Sequence, residues 1–305
     1  MLGRSPYAVN MSYSPFFNAP GYSTALHQNY IAYPPFSQFF STNNYLTNYG
    51  QFSYQNDPYG ISTSPSSGMY QPINYQNPKP PKLTSHIDTE DVNQGGHGDC
   101  VFEASLASLT TTASGRQQIK NIIKDNRDGT YTVTFPGDSR NSVNITEYDI
   151  QNKKSDNAEG WAKIIETAFM KAYPKQAEGD YPAKLNGKPL TPAQQALHLL
   201  TGRDAAKTNA DADNIEETLD SKLNRRTKSM VAYCKNDAYG TLVQGHEWTV
   251  KEYDPVSKTV VLRNPWGHNP IQEGETTNGI TGLNDGQVKM SVKEFKKYFQ
   301  EVTFV

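Results

Sequence analysis

The sequence predicts an α+β protein of two lobes, a helical lobe followed by a β-rich lobe, behind a disordered N-terminal tail. Three observations support this prediction. Residues 1–83 are poor in charge, residues 84–228 carry apolar residues at helical spacing, and residues 229–305 alternate apolar with polar residues as strands do. Clefts between two such lobes are common places for functional sites.

The composition of the tail does not support a folded core. Residues 1–78 contain eleven of the nineteen tyrosines but carry charge only at Arg4 and Asp57. Aliphatic residues are too few to offset the entropy lost on ordering, and polar residues spaced by aromatics are typical of disordered, adhesive segments. We therefore interpret 1–83 as a flexible tail ending in the extended linker 79–82. A removable pro-segment and a targeting arm are the alternatives.

Periodicity predicts the elements of the folded part in chain order. The helices are expected, from apolar residues at i, i+3, i+4 and i+7, at 100–110, 161–169, 192–200, 215–223 and 292–299. The strands are expected, from short apolar or alternating runs between turn residues, at 130–135, 230–234, 247–253, 259–263 and 302–305. The period changes after residue 228, so the boundary between the lobes is predicted there.

Composition also limits the classes of function. A net charge of −2 gives no support for nucleic acid or an anionic membrane as the main partner. No apolar run reaches the roughly 18 residues of a membrane span. Two cysteines and the lack of a signal peptide favour a cytoplasmic protein, or one exported without a conventional signal peptide. The glycines at 95–96 lack the Lys-Ser/Thr of a phosphate loop.

A glycine-rich segment that ends at Cys100 is the strongest chemical signal. It delivers the cysteine to the first turn of a predicted helix, where unpaired N–H groups and the positive end of the dipole favour a thiolate. Asp99 is the expected N-cap of that helix. Gln94, together with the Cys100 backbone N–H, could hold an oxyanion. The segment therefore predicts a nucleophilic cysteine.

Of the six histidines, His246 is the best candidate for the base. It begins a predicted strand 146 residues after Cys100, and cysteine hydrolases with the nucleophile on their first helix have their histidine about 130–150 residues later. Asn264 ends the next predicted strand, so an antiparallel pair would place it beside His246. An amide there could accept Nδ1–H and leave Nε2 facing the sulfur.

Three blocks of sequence resemble the catalytic core of the calpain family of cysteine proteases. They are Gln-Gly-x-x-Gly-Asp-Cys at 94–100, Gly-His-x-x-x-Val at 245–250 and Leu-Arg-Asn-Pro-Trp-Gly at 262–267. The resemblance covers about 84–305. It implies a papain-like two-lobed fold, with the active site in the cleft, that cleaves internal peptide bonds of protein substrates. Self-processing of the chain is a further expectation.

The resemblance also implies roles for single residues. Gln94, Cys100, His246 and Asn264 take the oxyanion, nucleophile, base and orienting roles. Gly98, Gly245 and Trp266 are implied as the wall of the active site, with Trp266 shielding the His-Asn hydrogen bond. Two positions depart from the family: Val101 stands where tryptophan is usual, and Glu103 where leucine is usual. Both could reshape the pocket.

Many members of the family require calcium, and this sequence matches their ligands poorly. Asp91 stands where the family places a calcium-binding acid, and Glu178 needs a one-residue shift to match the second acid. In the second lobe Pro270 and Gln287 stand where acids are expected. Calcium prefers about six to eight oxygen ligands, several of them carboxylates. We therefore expect no required cofactor, with calcium at an Asp91 site as the alternative.

Two other functions remain open at this point. The same thiol chemistry serves deamidation and transamidation, because the sequence does not show whether water or an amine is the second nucleophile. A non-catalytic module that binds partners through its cleft or its adhesive tail belongs to a different class. The presence of Gln94, Cys100, His246 and Asn264 together argues against it, since a pure binder has no chemical need for all four.

Removing the tail should leave the folded part intact. We expect a truncated protein that begins at residue 83 to melt within a few degrees of the full chain, because a tail without a core contributes few packing contacts. Thermal unfolding of both proteins is the measurement. A large drop in melting temperature would show that the tail packs on the folded part.

Overall fold

The computed structural model describes residues 86–152, 155, 157, 160–224, 227–235 and 242–305. The predicted tail, 1–83, lies outside these described residues. Among the helices of the described ranges, none has both the length and the apolar character needed to cross a bilayer.

The helices of the described residues agree with most of the predicted ones. They are α1 (Cys100–Thr110), α2 (Ala113–Ile122), α3 (Glu147–Asn152), α4 (Gly160–Ala172), α5 (Pro192–Thr201), α6 (Ile215–Leu219) and α7 (Val292–Tyr298). Single 3-10 turns lie at Thr89–Asp91, Pro136–Asp138 and Gln176–Glu178, and a π-helical turn follows α6 at Asp220–Asn224. The fourth predicted helix is therefore two short pieces. The predictions omitted α2 and α3.

The strands form three sheets within the described residues. They are β1 (Ile123–Asp125), β2 (Tyr131–Thr134), β3 (Ser142–Ile145), β4 (Lys184–Leu185), β5 (Lys188–Pro189), β6 (Ala206–Asn209), β7 (Met230–Cys234), β8 (Glu247–Asp254), β9 (Thr259–Arg263), β10 (Thr276–Thr277), β11 (Ile280–Gly282), β12 (Gln287–Ser291) and β13 (Phe299–Phe304). The large sheet has the antiparallel order β10-β11-β12-β9-β8-β7-β13-β6. β1-β2-β3 and β4-β5 form the two small sheets.

Two hydrophobic cores fill the described part of the chain, as expected for two lobes. The first lies among α1, α4, α5 and the sheet β1-β2-β3, and includes Phe102 stacked on Phe169 with ring centroids 3.8 Å apart. The second lies between the large sheet and the helices α6 and α7. Mixed helix and sheet in this arrangement confirms the predicted α+β class.

The central helix α1 differs from the amphipathic helix that was predicted. Its residues from Phe102 to Thr110 are all buried, including Glu103, Ser105 and Ser108. A helix that is buried on every side has no face exposed to solvent, so the prediction of a single buried apolar stripe is wrong. The reason is its position: α1 packs against α5 on one side and against β8 on the other. Thr249 Oγ1 of β8 donates a 2.8 Å hydrogen bond to the carbonyl oxygen of Ala104.

Residues before the predicted lobe boundary at 228 already pack with the second lobe. β6 pairs with β13 in the large sheet, and Ile215 and Leu219 of α6 belong to the second core. These residues lie within the predicted helical lobe, 84–228. Periodicity identifies a helix but not the core against which it packs, which explains the difference.

Candidate active site

Cys100 is the first residue of α1, as predicted. Gly98, two residues earlier, makes a close contact with another segment. A Cβ on Gly98 would lie 2.9 Å from the backbone carbonyl of Glu178, so a larger residue would push the two segments apart. The Asp99 carbonyl oxygen accepts from the Glu103 N–H at 3.0 Å. Asp99 is the N-cap residue of α1, as predicted, but its side chain makes no capping hydrogen bond.

The surroundings of the Cys100 thiol differ from those expected for a free thiolate. Cys100 is half-buried and unbridged, and the backbone N–H of Glu247 donates a hydrogen bond to its sulfur. Burial outweighs that donor and raises the pKa of the Cys100 thiol to about 11, with the charges of Glu247 and Asp99 adding to the effect. The helix terminus alone therefore does not produce a thiolate here. The proton must pass to a base.

His246 lies next to the residue whose N–H contacts the sulfur, and Asn264 orients its ring. His246 Nε2 lies 2.9 Å from Asn264 Oδ1. The Trp266 N–H donates to the same oxygen at 3.0 Å, and Asn264 Nδ2 donates to the His268 carbonyl oxygen at 2.9 Å. Because Oδ1 is thereby fixed as the acceptor, Nε2 carries the hydrogen and Nδ1 keeps its lone pair. The predicted tautomer, with Nδ1–H on the amide, is wrong.

The His246 ring is enclosed. It is buried, and the Trp266 ring packs against it with centroids 4.9 Å apart and planes inclined at 51°. Gly245 precedes it with φ of 60°, a conformation that favours glycine, so the chain turns sharply into β8. Burial lowers the pKa of His246 to about 4, against the opposing effect of the hydrogen bond that the ring donates to Asn264 Oδ1. Taken alone, therefore, both the imidazole and the thiol are neutral at pH 7.

Gln94 reaches the second lobe through its backbone. Its N–H donates to the Pro265 carbonyl oxygen at 2.8 Å, which brings it close to the Asn264 loop. Its side-chain Nε2 donates to the His97 carbonyl oxygen at 2.7 Å. An amide group carries two hydrogens, so this bond leaves one of them for an oxyanion.

Glu103, which was expected to reshape the pocket, is enclosed by protein and does not line any of the cavities described in this part of the chain. It is fully buried on α1, with its carboxyl turned toward Asp99 and toward Glu166 of α4; ligand atoms of the three lie within 4.8 Å of one another. Asn157 Nδ2 donates to Glu166 at 2.8 Å and to Glu103 at 3.3 Å. Sequence reasoning missed Asn157 and Glu166, because nothing in either local segment shows that the two share a buried site.

Burial raises the pKa values of these carboxyls. Burial first, and then the neighbouring Glu166 charge, raise the pKa of Asp99 to about 7. The same two causes raise the pKa of Glu103 well above its usual range. Removing negative charge next to Cys100 in this way lowers the electrostatic cost of forming a thiolate there.

The acid expected to bind calcium has protein partners instead. Asp91 Oδ2 accepts from the Asp88 N–H at 2.7 Å and from Trp161 Nε1 at 3.0 Å. Glu178 Oε1 lies 3.0 Å from His97 Nδ1. Among the described residues, the grouped set of potential metal ligands does not include Asp91. Asp91 and Glu178 thus each have polar partners within the protein.

Comparison with known proteins identifies the family of this chain. Residues 71–305 match the model of the calpain family cysteine protease. The chain belongs to the calpain family. It is 24% identical over 258 residues to human (Homo sapiens) Calpain-9, covering 70% of this chain and 35% of that protein. It is also 24% identical over 270 residues to Calpain-9 of Mus musculus, covering 73% and 37%. The chain thus spans about a third of the length of the curated relatives it matches.

The stability of this calpain-family domain should depend on pH through its buried carboxyls, Asp99 and Glu103. The Asp99 carboxyl ionises above about pH 4 in the unfolded chain but only above about pH 7 in the folded chain, so unfolding releases a proton between those two pH values. Stability therefore falls as pH rises from about 4 to 7. The neutral variant Glu103→Gln should flatten this fall and raise the melting temperature at pH 7.5 by several degrees. Glu252→Gln, an exposed change, is the control.

The measurement is thermal unfolding of both variants and the parent chain between pH 4 and 8. A parallel pH dependence in Glu103→Gln and in the parent chain would show that the buried carboxyls are compensated in another way.

Proposed function

We propose that this chain is a cysteine endopeptidase that hydrolyses internal peptide bonds of protein substrates. The observation that carries the proposal is the hydrogen bond from His246 Nε2 to Asn264 Oδ1, beside a cysteine at a helix N-terminus whose sulfur contacts the next residue, Glu247. That arrangement leaves Nδ1 with the lone pair that a base requires. Membership of a family of cysteine proteases supports the same reaction.

The neutral pair fits a mechanism in which proton transfer accompanies attack. Nδ1 of His246 accepts the Sγ proton, and the sulfur attacks the peptide carbonyl carbon. The oxyanion is held by the Cys100 N–H and by Gln94. The imidazolium then protonates the leaving amine, and the C–N bond breaks to give a thioester. Water, deprotonated by His246, hydrolyses the thioester and restores the thiol.

Separate groups stabilise the charges that appear in this sequence of steps. The Glu247 N–H hydrogen bond and the first turn of α1 favour negative charge on the sulfur. The Asn264 oxygen favours positive charge on the imidazole. The two new charges attract each other across a partly desolvated site, where Coulomb interactions exceed those in water. Together these interactions oppose the burial that keeps each group neutral when alone.

The free thiol state favours a reducing compartment for this activity. Cys100 and Cys234 are both unbridged, and Cys234 is buried in β7. An endopeptidase that depends on a thiol keeps its activity where thiols stay reduced, which agrees with a cytoplasmic protein.

Substitution of the reacting groups tests the proposal. Cys100→Ala and His246→Ala should each lower kcat/KM on casein by about 1,000-fold or more, because the nucleophile and its base act as a unit. Asn264→Ala should lower it by about 10- to 100-fold through loss of ring orientation. Cys234→Ala should remain active. Mass spectrometry of the purified full chain and of Cys100→Ala reports self-cleavage and its site.

Cleavage of casein that survives Cys100→Ala would refute the nucleophile assignment. Conversion of peptide glutamine to glutamate, or amine incorporation without chain cleavage, would instead identify a deamidase or a transamidase.

Activity should persist without calcium. Asp91 and Glu178 already accept hydrogen bonds from the protein, and Gln287 offers a neutral amide that donates to Glu90 at 3.3 Å. We expect kcat/KM of the full chain in excess EGTA to lie within about threefold of its value in millimolar calcium. Asp91→Asn is the matched variant, and it should not change that ratio. Activity seen only with calcium and lost in Asp91→Asn would show that one site controls the enzyme.

A further inference from the structure

A cavity of about 300 Å³ opens beside the two reacting residues. Val101, which follows Cys100, and Glu247, which follows His246, both line it. The rest of the lining comes from the start of α5 and from β7 and β13. Since the Glu247 N–H also contacts the Cys100 sulfur, the cavity lies within reach of a substrate side chain near the bond being cleaved.

One wall of the cavity is apolar. Val101, which follows Cys100, is half-buried on that wall. With Pro192 and Ala193 it gives an apolar surface on the side of the first lobe.

Two acids stand on the opposite wall in one row of the large sheet. Tyr233 of β7 pairs with Glu247 of β8 on one side and with Glu301 of β13 on the other. Residues directly paired across neighbouring strands project from the same face of a sheet, so both carboxyls belong to the face that borders the cavity. Both residues line it.

The charges of the two acids are balanced differently. Glu301 Oε2 pairs with Lys207 Nζ of β6 at 2.5 Å. Glu247 is buried, and within the part of the chain that the structure describes no hydrogen-bond donor reaches its carboxyl. Burial, followed by the charge of Glu301, raises the pKa of Glu247 well above its usual range. Glu247 is thus a buried acid without a counter-charge at the wall of a cavity open to solvent.

We propose that this cavity binds a basic side chain of the substrate, lysine or arginine, and that Glu247 supplies its counter-charge. The inference rests on the proposed endopeptidase function and names the class of its substrates. The methylene stem of a basic residue suits the Val101, Pro192 and Ala193 surface, and its charged head then meets Glu247. An aliphatic side chain would leave the buried carboxyl without a partner, which costs free energy.

Matched peptides test the proposal on the full chain. One flexible peptide with a quenched fluorophore is varied to Arg, Leu, Gln or Glu at each of the four positions before the cleaved bond. At one position kcat/KM should be at least about 10-fold higher for Arg than for Leu. Glu247→Gln should reduce that ratio about 10-fold, because the isosteric amide keeps the shape of the cavity and removes its charge. Glu247→Arg should reverse it in favour of a Glu peptide.

Glu252→Gln is the matched control, because it makes the same change on the same strand, roughly 17 Å away, on an exposed residue. It should leave the Arg-to-Leu ratio unchanged. A parent chain that cleaves the peptides with equal preference, or an Arg preference that survives Glu247→Gln, would overturn the proposal while leaving the endopeptidase function in place.

If no peptide is cleaved, the proposed function fails, and binding decides the inference separately. Fluorescence anisotropy of the same peptides with Cys100→Ala should show the Arg peptide binding at least about 10-fold more tightly than the Leu peptide. Adding Glu247→Gln should abolish the difference. Equal affinities in Cys100→Ala would overturn the proposal.

Discussion

The contact between α1 and β8 is the constraint on which the rest of the site depends. Two hydrogen bonds cross it: the Glu247 N–H to the Cys100 sulfur, and Thr249 Oγ1 to the Ala104 carbonyl oxygen. Strand β8, which directly follows His246, thus ties the helix that begins at Cys100 to the large sheet. Because α1 is buried on all sides, small movements of the sheet are resisted by dense packing. The position of Cys100 relative to strand β8 follows from this packing.

The same burial creates the electrostatic problem that the site must solve. It raises the pKa of Cys100 and lowers that of His246, so both changes oppose the ion pair. Two features oppose this effect. Burial raises the pKa of Asp99 to about 7 and that of Glu103 well above its usual range, which reduces the negative charge near the sulfur, and the Asn264 oxygen accepts the imidazole N–H. A partly closed site also strengthens the attraction between a thiolate and an imidazolium. Chemistry then begins when substrate arrives.

Sequence reasoning predicted most elements and the contact between His246 and Asn264, but not the details that packing decides. Cys100, His246 and Asn264 were accessible because spacing and local motifs identify them, and the structure brings His246 and Asn264 into contact. The imidazole tautomer could not be predicted, since it depends on the Trp266 N–H that fixes the Asn264 oxygen. The surroundings of Glu103 could not be predicted either, because one helix position does not show which neighbouring helix faces it. Periodicity records local spacing, whereas these features depend on distant segments.

The carboxyl beside Cys100 links substrate choice to chemistry. The Glu247 N–H contacts the sulfur and the Glu247 side chain lines the cavity, so one residue contacts both the thiol and the proposed substrate site. When a basic side chain enters, Glu247 can ionise against it, and the net charge near the sulfur stays close to neutral. Without that cation, an ionised Glu247 would raise the free energy of the thiolate. A basic substrate residue therefore fills the cavity and also neutralises the charge that would disfavour the thiolate. A neutral residue of the same size fills the cavity but does not neutralise that charge.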